Sequence, residues 1–279
     1  MTVLLPQSPA RPTPVGWPTT VRRTVHSELI KLRALRSSVW LLGVATAFTA
    51  LLGPVQAVGQ VLGGPAQPLG ADPAADAAAL ALSGTSSSSL LLGVLGVLVV
   101  TGEYTSHAVR TTFTLVPQRG QVVLAKAVAL ALATAVTSAV AVAVAVTVSL
   151  LVLGRGGPSA DLQLGWGSPH VLHLAAATVW YLVGWSLLGL VAGWLTRSKI
   201  AGPAVLIGVL YLLAPLLGLL PETVGRVVLP LLPSSAAAAM TSVDPAGALS
   251  SAPAGFALWT AYLVLFTVVS GWVVTRRDA

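Results

Sequence analysis

Acids are scarce in this sequence, eight in 279 residues, so each can be asked what chemistry it would support. Glu103 follows closely on a long apolar run. A carboxylate there either faces water or pairs with a cation, Arg110 or one from residues 22–36. No second acid lies near it in sequence, which argues against the two-carboxylate arrangement of general acid–base catalysis. Glu28 precedes Lys31 by three residues, the spacing of a helical ion pair. His170 and His173 share a helical face, with Asp161 upstream. A metal site wants at least three ligands in fixed geometry, whereas histidines beside Trp166, Trp180 and Tyr181 also suit the aromatic belt of a membrane surface. The chain has no cysteine, which excludes disulfides, thiolate catalysts and Cys-ligated metals. No GxxxxGK[ST] loop, GxSxG elbow or HExxH helix occurs, so the chain has no phosphate loop of its own for ATP and neither of those hydrolytic motifs.

The elements that must position these residues follow from composition. Only 8% of residues are charged and 55% are hydrophobic, too few charges to cover a soluble surface. The expected fold is therefore an all-α integral membrane protein, one bundle rather than several domains. The net charge of +7 is distributed unevenly. Arg22, Arg23, Lys31, Arg33, Arg36, Arg110, Arg119, Lys126, Arg197, Lys199, Arg276 and Arg277 fall in segments that would share one side of the membrane, and Arg155 and Arg226 fall on the other. Such asymmetry is a topology signal that puts both termini in the cytoplasm, and it argues against nucleic acid as the partner.

Along the chain, residues 1–20 carry five prolines among small polar residues and read as a disordered tail, leaving 21–279 as the transmembrane unit. Val21, Val25, Leu29, Leu32 and Leu35 recur at helical spacing, with Arg22, Arg23, Lys31, Arg33 and Arg36 over much of the rest, as in a helix lying in the headgroup plane of anionic lipid. Six spans, each near the ~20 residues needed to cross the hydrocarbon core, are expected near 39–62, 80–100, 127–153, 171–195, 200–220 and 253–274. Residues 63–79 read as a surface linker. Thr85, Ser86, Ser87, Ser88 and Ser89 open the second span. Such hydroxyls either close on their own helix carbonyls, join two helices, or line a polar pathway. Gly189 and Gly193 form a GxxxG helix-contact face. Pro203 and Pro215 are expected to kink or interrupt the fifth span. Residues 221–252 are too apolar for a free loop and too proline-broken for a span, which suits short re-entrant or surface helices.

Residues 101–126, TGEYTSHAVRTTFTLVPQRGQVVLAK, combine an acid, several cations and Pro117 between two apolar blocks. As a helix, Val109, Phe113 and Val116 fall on one stripe at i, i+4, i+7, with His107, Arg110 and Thr114 off it. This suits either a docking element for a soluble partner or a solvated loop resting on headgroups.

Thr101-Gly102-Glu103-Tyr104, Arg110-Thr111-Thr112 and Val116-Pro117 resemble the second-to-third-span loop of ABC-2 type transporter permeases. Ser27-Glu28, Lys31-Leu32-Arg33 and Arg36-Ser37 resemble the segment before their first span. The two stretches cover roughly a fifth of the chain, and the rest is similar in layout alone. The resemblance implies an N-terminal elbow helix bearing Glu28, Leu29, Lys31, Leu32, Arg33 and Arg36. It also implies a cytoplasmic coupling helix that rests on a separate ATPase through Glu103, Tyr104, Val109, Arg110, Phe113, Val116 and Pro117; from the apolar stripe, Phe113 is expected to be the inserted knob and Arg110 a rim contact. It implies outer re-entrant helices, a second permease chain, and ATP with Mg held by the ATPase and no cofactor in this chain. The expected function is then outward movement of a hydrophobic or amphipathic solute across the cell membrane, with no catalytic residue here. No charged residue is placed at mid-depth in any expected span, which removes the usual relay of a proton-driven carrier and leaves energy to an outside partner. A membrane anchor or sensor without transport, and a lipid-modifying membrane enzyme, are the alternative readings.

Overall fold

Helix starts and stops in this chain are set by a few prolines, glycines and single extended residues. The computed structural model of the protein describes residues 17–63, 73–105, 119–155, 165–208, 212–219, 222–241 and 251–276, and every regular element among them is helical. Helix α1 (Trp17–Ala34) takes Pro18 into its first turn, where a missing N–H breaks no helical hydrogen bond. The helix thus covers residues 17–20, which composition had assigned to the tail. Leu35 alone, in extended conformation, separates α1 from α2 (Arg36–Val61).

Residues 63–79 are not simply a linker, because α3 (Pro73–Ala81) lies partly within them and buries Ala77, Ala78 and Ala81 completely. The turn that follows delays α4 to Thr85–Thr105. Residues 80–84 therefore stand outside that span, and Glu103 and Tyr104 belong to its last turn. Helix α5 (Arg119–Leu153) starts earlier than the Ala127 expected and runs 35 residues. At 1.5 Å per residue that is about 52 Å, against ~30 Å of hydrocarbon. Helix α6 (Pro169–Thr196) ends at Arg197, whose φ of 52° is the left-handed cap conformation.

The segment 200–220 is not seen as one span: it contains α7 (Ala201–Ile207) and α8 (Leu213–Leu217), with 209–211 outside the described residues. Pro203 sits early in α7, and Pro215 lies inside α8. Helix α9 (Glu222–Val228) runs into a 3-10 turn at Leu229–Leu231, and then α10 (Pro233–Thr241) departs at 71°. Helix α11 (Ala252–Arg276) closes the bundle. Among the described residues α2, α4, α5, α6 and α11 are long and apolar enough to cross a membrane, and the bent pair Thr223–Leu231 and Pro233–Thr241 makes a sixth if it is one span.

The central helix is α6, with 72% of its apolar stretch buried in protein against 22% for α11. It packs along α4 and against α5 and α11, while α2 lies on α4 and α5. Small residues make the closest contacts. A methyl on Gly189 would sit 1.9 Å from the Gly93 carbonyl oxygen, and one on Gly96 would sit 2.0 Å from the Ser186 carbonyl oxygen. The GxxxG face of α6 therefore meets glycines of α4 directly, backbone against backbone. Hydroxyl pairs tie other helices. Thr49 donates to Ser88 Oγ at 2.7 Å, and Ser88 donates to the Ala45 carbonyl at 2.8 Å, joining α2 to α4. Thr134 and Ser186 meet at 3.2 Å between α5 and α6, and the Trp180 indole donates to Thr260 at 3.1 Å between α6 and α11.

Candidate functional site

One end of the bundle collects the buried charges of the described residues, Glu28 and Lys126. Helix α1 turns Thr24, Glu28 and Leu32, one stripe at i, i+4, i+8, inward. Helix α4 brings Glu103 to the same place in its last turn, and α5 supplies Lys126 near its start. Lys31 Nζ lies 2.6 Å from Glu28 Oε1 and 3.0 Å from Glu103 Oε1. Lys126 Nζ lies 2.5 Å from Glu28 Oε2 and 2.9 Å from the same Glu103 Oε1. The two lysines and two glutamates thus form a closed, charge-balanced ring. Only 2% of the Lys126 side chain and 3% of the Glu28 side chain reach solvent, while Glu103 retains 15% and Lys31 41%. Burial by itself would lower the Lys31 pKa. Hydrogen bonds and charge from Glu28 and Glu103 outweigh it and hold the ammonium above its ordinary value.

The floor beneath the ring is apolar. Val25, Leu29 and Leu32 of α1 pack against the cluster that contains Val123, Ala127, Leu130, Trp194 and Val274. The α1 stripe expected to lie in lipid is thus largely covered by protein, because the ring draws α1 onto α5; Leu35, by contrast, is exposed. Arg22, Arg23, His26, Ile30, Arg33 and Arg36 face outward. Beside the ring, the Tyr104 ring meets Trp194 edge-on at 6.0 Å, and the Arg197 guanidinium lies 5.2 Å over Tyr104. The cap of α6 is thereby tied to the end of α4.

Glu28, Lys31 and Glu103 are brought together, and the Glu28–Lys31 pair forms as its spacing suggests. Of the partners expected for Glu103, a cation of α1, Lys31, is observed, and Arg110 lies outside the described residues. Two acids distant in sequence share this site, yet both accept from lysines, so they make an ionic lock rather than an acid–base pair. Lys126 was not singled out as a site residue. The available signal was that Val122, Lys126 and Leu130 recur at i, i+4, i+8, so a cation stood on an otherwise apolar buried face. Val109, Arg110, Phe113, Val116 and Pro117 lie outside the described residues.

The hydroxyl run divides. Ser88 and Ser89 are buried, Ser88 in the α2–α4 contact and Ser89 donating to the Ser86 carbonyl. Thr85 donates to the Leu82 carbonyl, and Ser86 and Ser87 are exposed. His170 and His173 are exposed at the start of α6, and among the described residues no group of three His, Asp or Glu is arranged for a metal; Asp161 lies outside them. Chemically, the site can hold three helices in fixed relation. No family model matches this chain, and comparison with curated proteins finds no match.

Proposed function

We propose that this chain is the permease subunit of an ABC-2 type exporter, a multi-pass protein of the cell membrane with cytoplasmic termini. The observation that carries the reading is convergence. The two stretches that resemble that family, around 27–37 and 101–117, lie far apart in sequence, and the ion ring joins them through Glu28, Lys31 and Glu103. In this reading α1 is the elbow helix, and the 106–118 stretch that leaves α4 and enters α5 is the coupling element for an ATPase that carries the ATP and Mg. Arg22, Arg23, Lys31, Arg33, Arg36, Lys126, Arg197, Lys199 and Arg276 gather at the ring's end of the bundle, and Arg155 stands at the other, a distribution that favours a cytoplasmic ring. The bent pair α9–α10 would be the outer re-entrant element. Its break leaves the Leu231 carbonyl to the Tyr262 hydroxyl, a satisfied backbone group of the kind that membrane depth requires.

Two permease chains would meet two ATPases, and ATP-driven closure would shift the bundle between inward- and outward-open populations, moving a hydrophobic or amphipathic solute. Lipid would cover the apolar outer faces of α2, α5 and α11. The test is affinity purification of the chain from native membranes, followed by ATP hydrolysis assays in lipid. A copurifying P-loop ATPase stimulated by an amphipathic solute is expected. Purification without one, and no ATP-dependent transport in vesicles, would leave the anchor or sensor reading in its place.

A further inference from the structure

We infer that Lys126 is a positioning residue: with Glu28 and Glu103 it locks α1 and both flanks of the 106–118 stretch in one register, so that the three elements move as one body. Within the ring each member has two partners. Glu28 gives one carboxylate oxygen to each lysine, and Glu103 Oε1 accepts from both. Lys126 and Glu28 are nearly sealed from water. Sliding α1 by one turn along α5, about 5.4 Å, would break the Lys126–Glu28 and Lys31–Glu103 bonds, leaving each buried charge one partner short with no solvent to replace the one lost. The apolar contacts of Leu29 and Leu32 with the bundle are non-directional and would survive such a slide by repacking. Register is therefore specified by the charges and not by the apolar stripe. A buried ion pair adds little net stability over well-packed apolar residues, so fixing one arrangement is the role left to it.

The stretch 106–118 leaves α4 just beyond Glu103 and enters α5 just before Lys126, so both of its ends are tied to α1 through the ring. What such a body would transmit rests on the permease reading; that it is one body does not.

The test uses the full chain, which has no native cysteine to remove. Cysteines replacing exposed Arg33 on α1 and exposed Gly120 on α5 carry spin labels, and their distance distribution is measured in lipid nanodiscs. A single narrow peak is expected for the otherwise wild-type chain. Lys126→Met should broaden it at least twofold, with a lower yield of folded protein. Glu28→Leu combined with Lys126→Met leaves the balanced Lys31–Glu103 pair. That double variant should recover yield to within twofold of wild type while the distribution stays broad, an outcome that a purely structural role does not produce. A double variant as narrow as wild type, or a folded Lys126→Met variant as narrow as wild type, overturns the inference. Broadening together with the absence of a copurifying ATPase would sink the permease reading and leave the lock standing. A copurifying ATPase with unbroadened distances would do the reverse.

Discussion

Between α4 and α6 the helices meet through the absence of side chains, whereas at the end of the same α4 they meet through full charges. In the seam, Gly93 and Gly96 lie against Gly189 and the Ser186 carbonyl so closely that a methyl has no room. In the ring, four long side chains reach across three helices and satisfy one another. The seam is intolerant of size and indifferent to charge. The ring is intolerant of imbalance, yet its long, flexible members leave some freedom in shape. A bundle in lipid has little hydrophobic drive between its own helices, so close packing must supply affinity where water is absent. Charge can specify an arrangement where the chain approaches the membrane edge.

Perturbations should separate the two regions. The largest effect is expected for Gly189→Val, which forces backbones apart and should cost about 3 kcal/mol or more. Its thermal unfolding midpoint in detergent should fall steeply and by the same amount at low and high salt. An unchanged midpoint would mean the seam is looser than described. Next comes Glu28→Gln, which leaves Lys126 buried in a ring with one net positive charge. Because Glu103 still faces Lys126, the loss should be about 2–3 kcal/mol, below that of an outright unpaired buried charge. Lys31→Met removes the exposed member and should cost less than about 1 kcal/mol. Equal losses for the two would show that burial does not set the ring's energetics.

Smaller still is Ser88→Ala, which takes the acceptor from Thr49 and the bond to the Ala45 carbonyl between α2 and α4. About 1 kcal/mol is expected, read from the same unfolding midpoint.

The smallest concerns pH. The Lys31 pKa is raised above 10.5 in the folded chain. Its contribution is therefore fully present below that value and is lost only as pH rises through the higher folded one. The midpoint should show no Lys31-dependent slope from neutral pH to about 9 and a shallow decline in stronger base, and Lys31→Met should remove that decline. A Lys31-dependent slope near pH 7 would contradict the sign.

Much of the scaffold was legible in the sequence where one signal acted alone. Spans α6 and α11 fall within a few residues of 171–195 and 253–274, because each is a uniform apolar run, one beginning at Pro169 and the other ending at Arg276. Helix α3 was hidden, since an alanine-rich stretch inside a proline- and aspartate-bearing loop has little periodicity to display. Segment 200–220 looked long enough to span, and its prolines announced a break without saying where the pieces end. The ring was half visible. Glu28 and Lys31 are three apart, but Glu28 and Lys126 are 98 apart, and no local pattern reports that distance. Gly189 and Gly193 declared a contact face, while the residues opposite them, Gly93 and Gly96 for Gly189 and Val97 and Val100 for Gly193, carried no distinguishing spacing.

The length of α5 has a mechanical consequence. If Lys126 is a fulcrum, the helix divides into a short arm of about 10 Å toward Arg119 and a long arm of about 40 Å toward Leu153. Tilting it there would magnify a displacement of the short arm roughly fourfold at the far end, so that a 1 Å push at Arg119 becomes ~4 Å beside Leu153. Among the described spans, no other helix is as long, and the ring would carry α1 and the end of α4 along with such a lever.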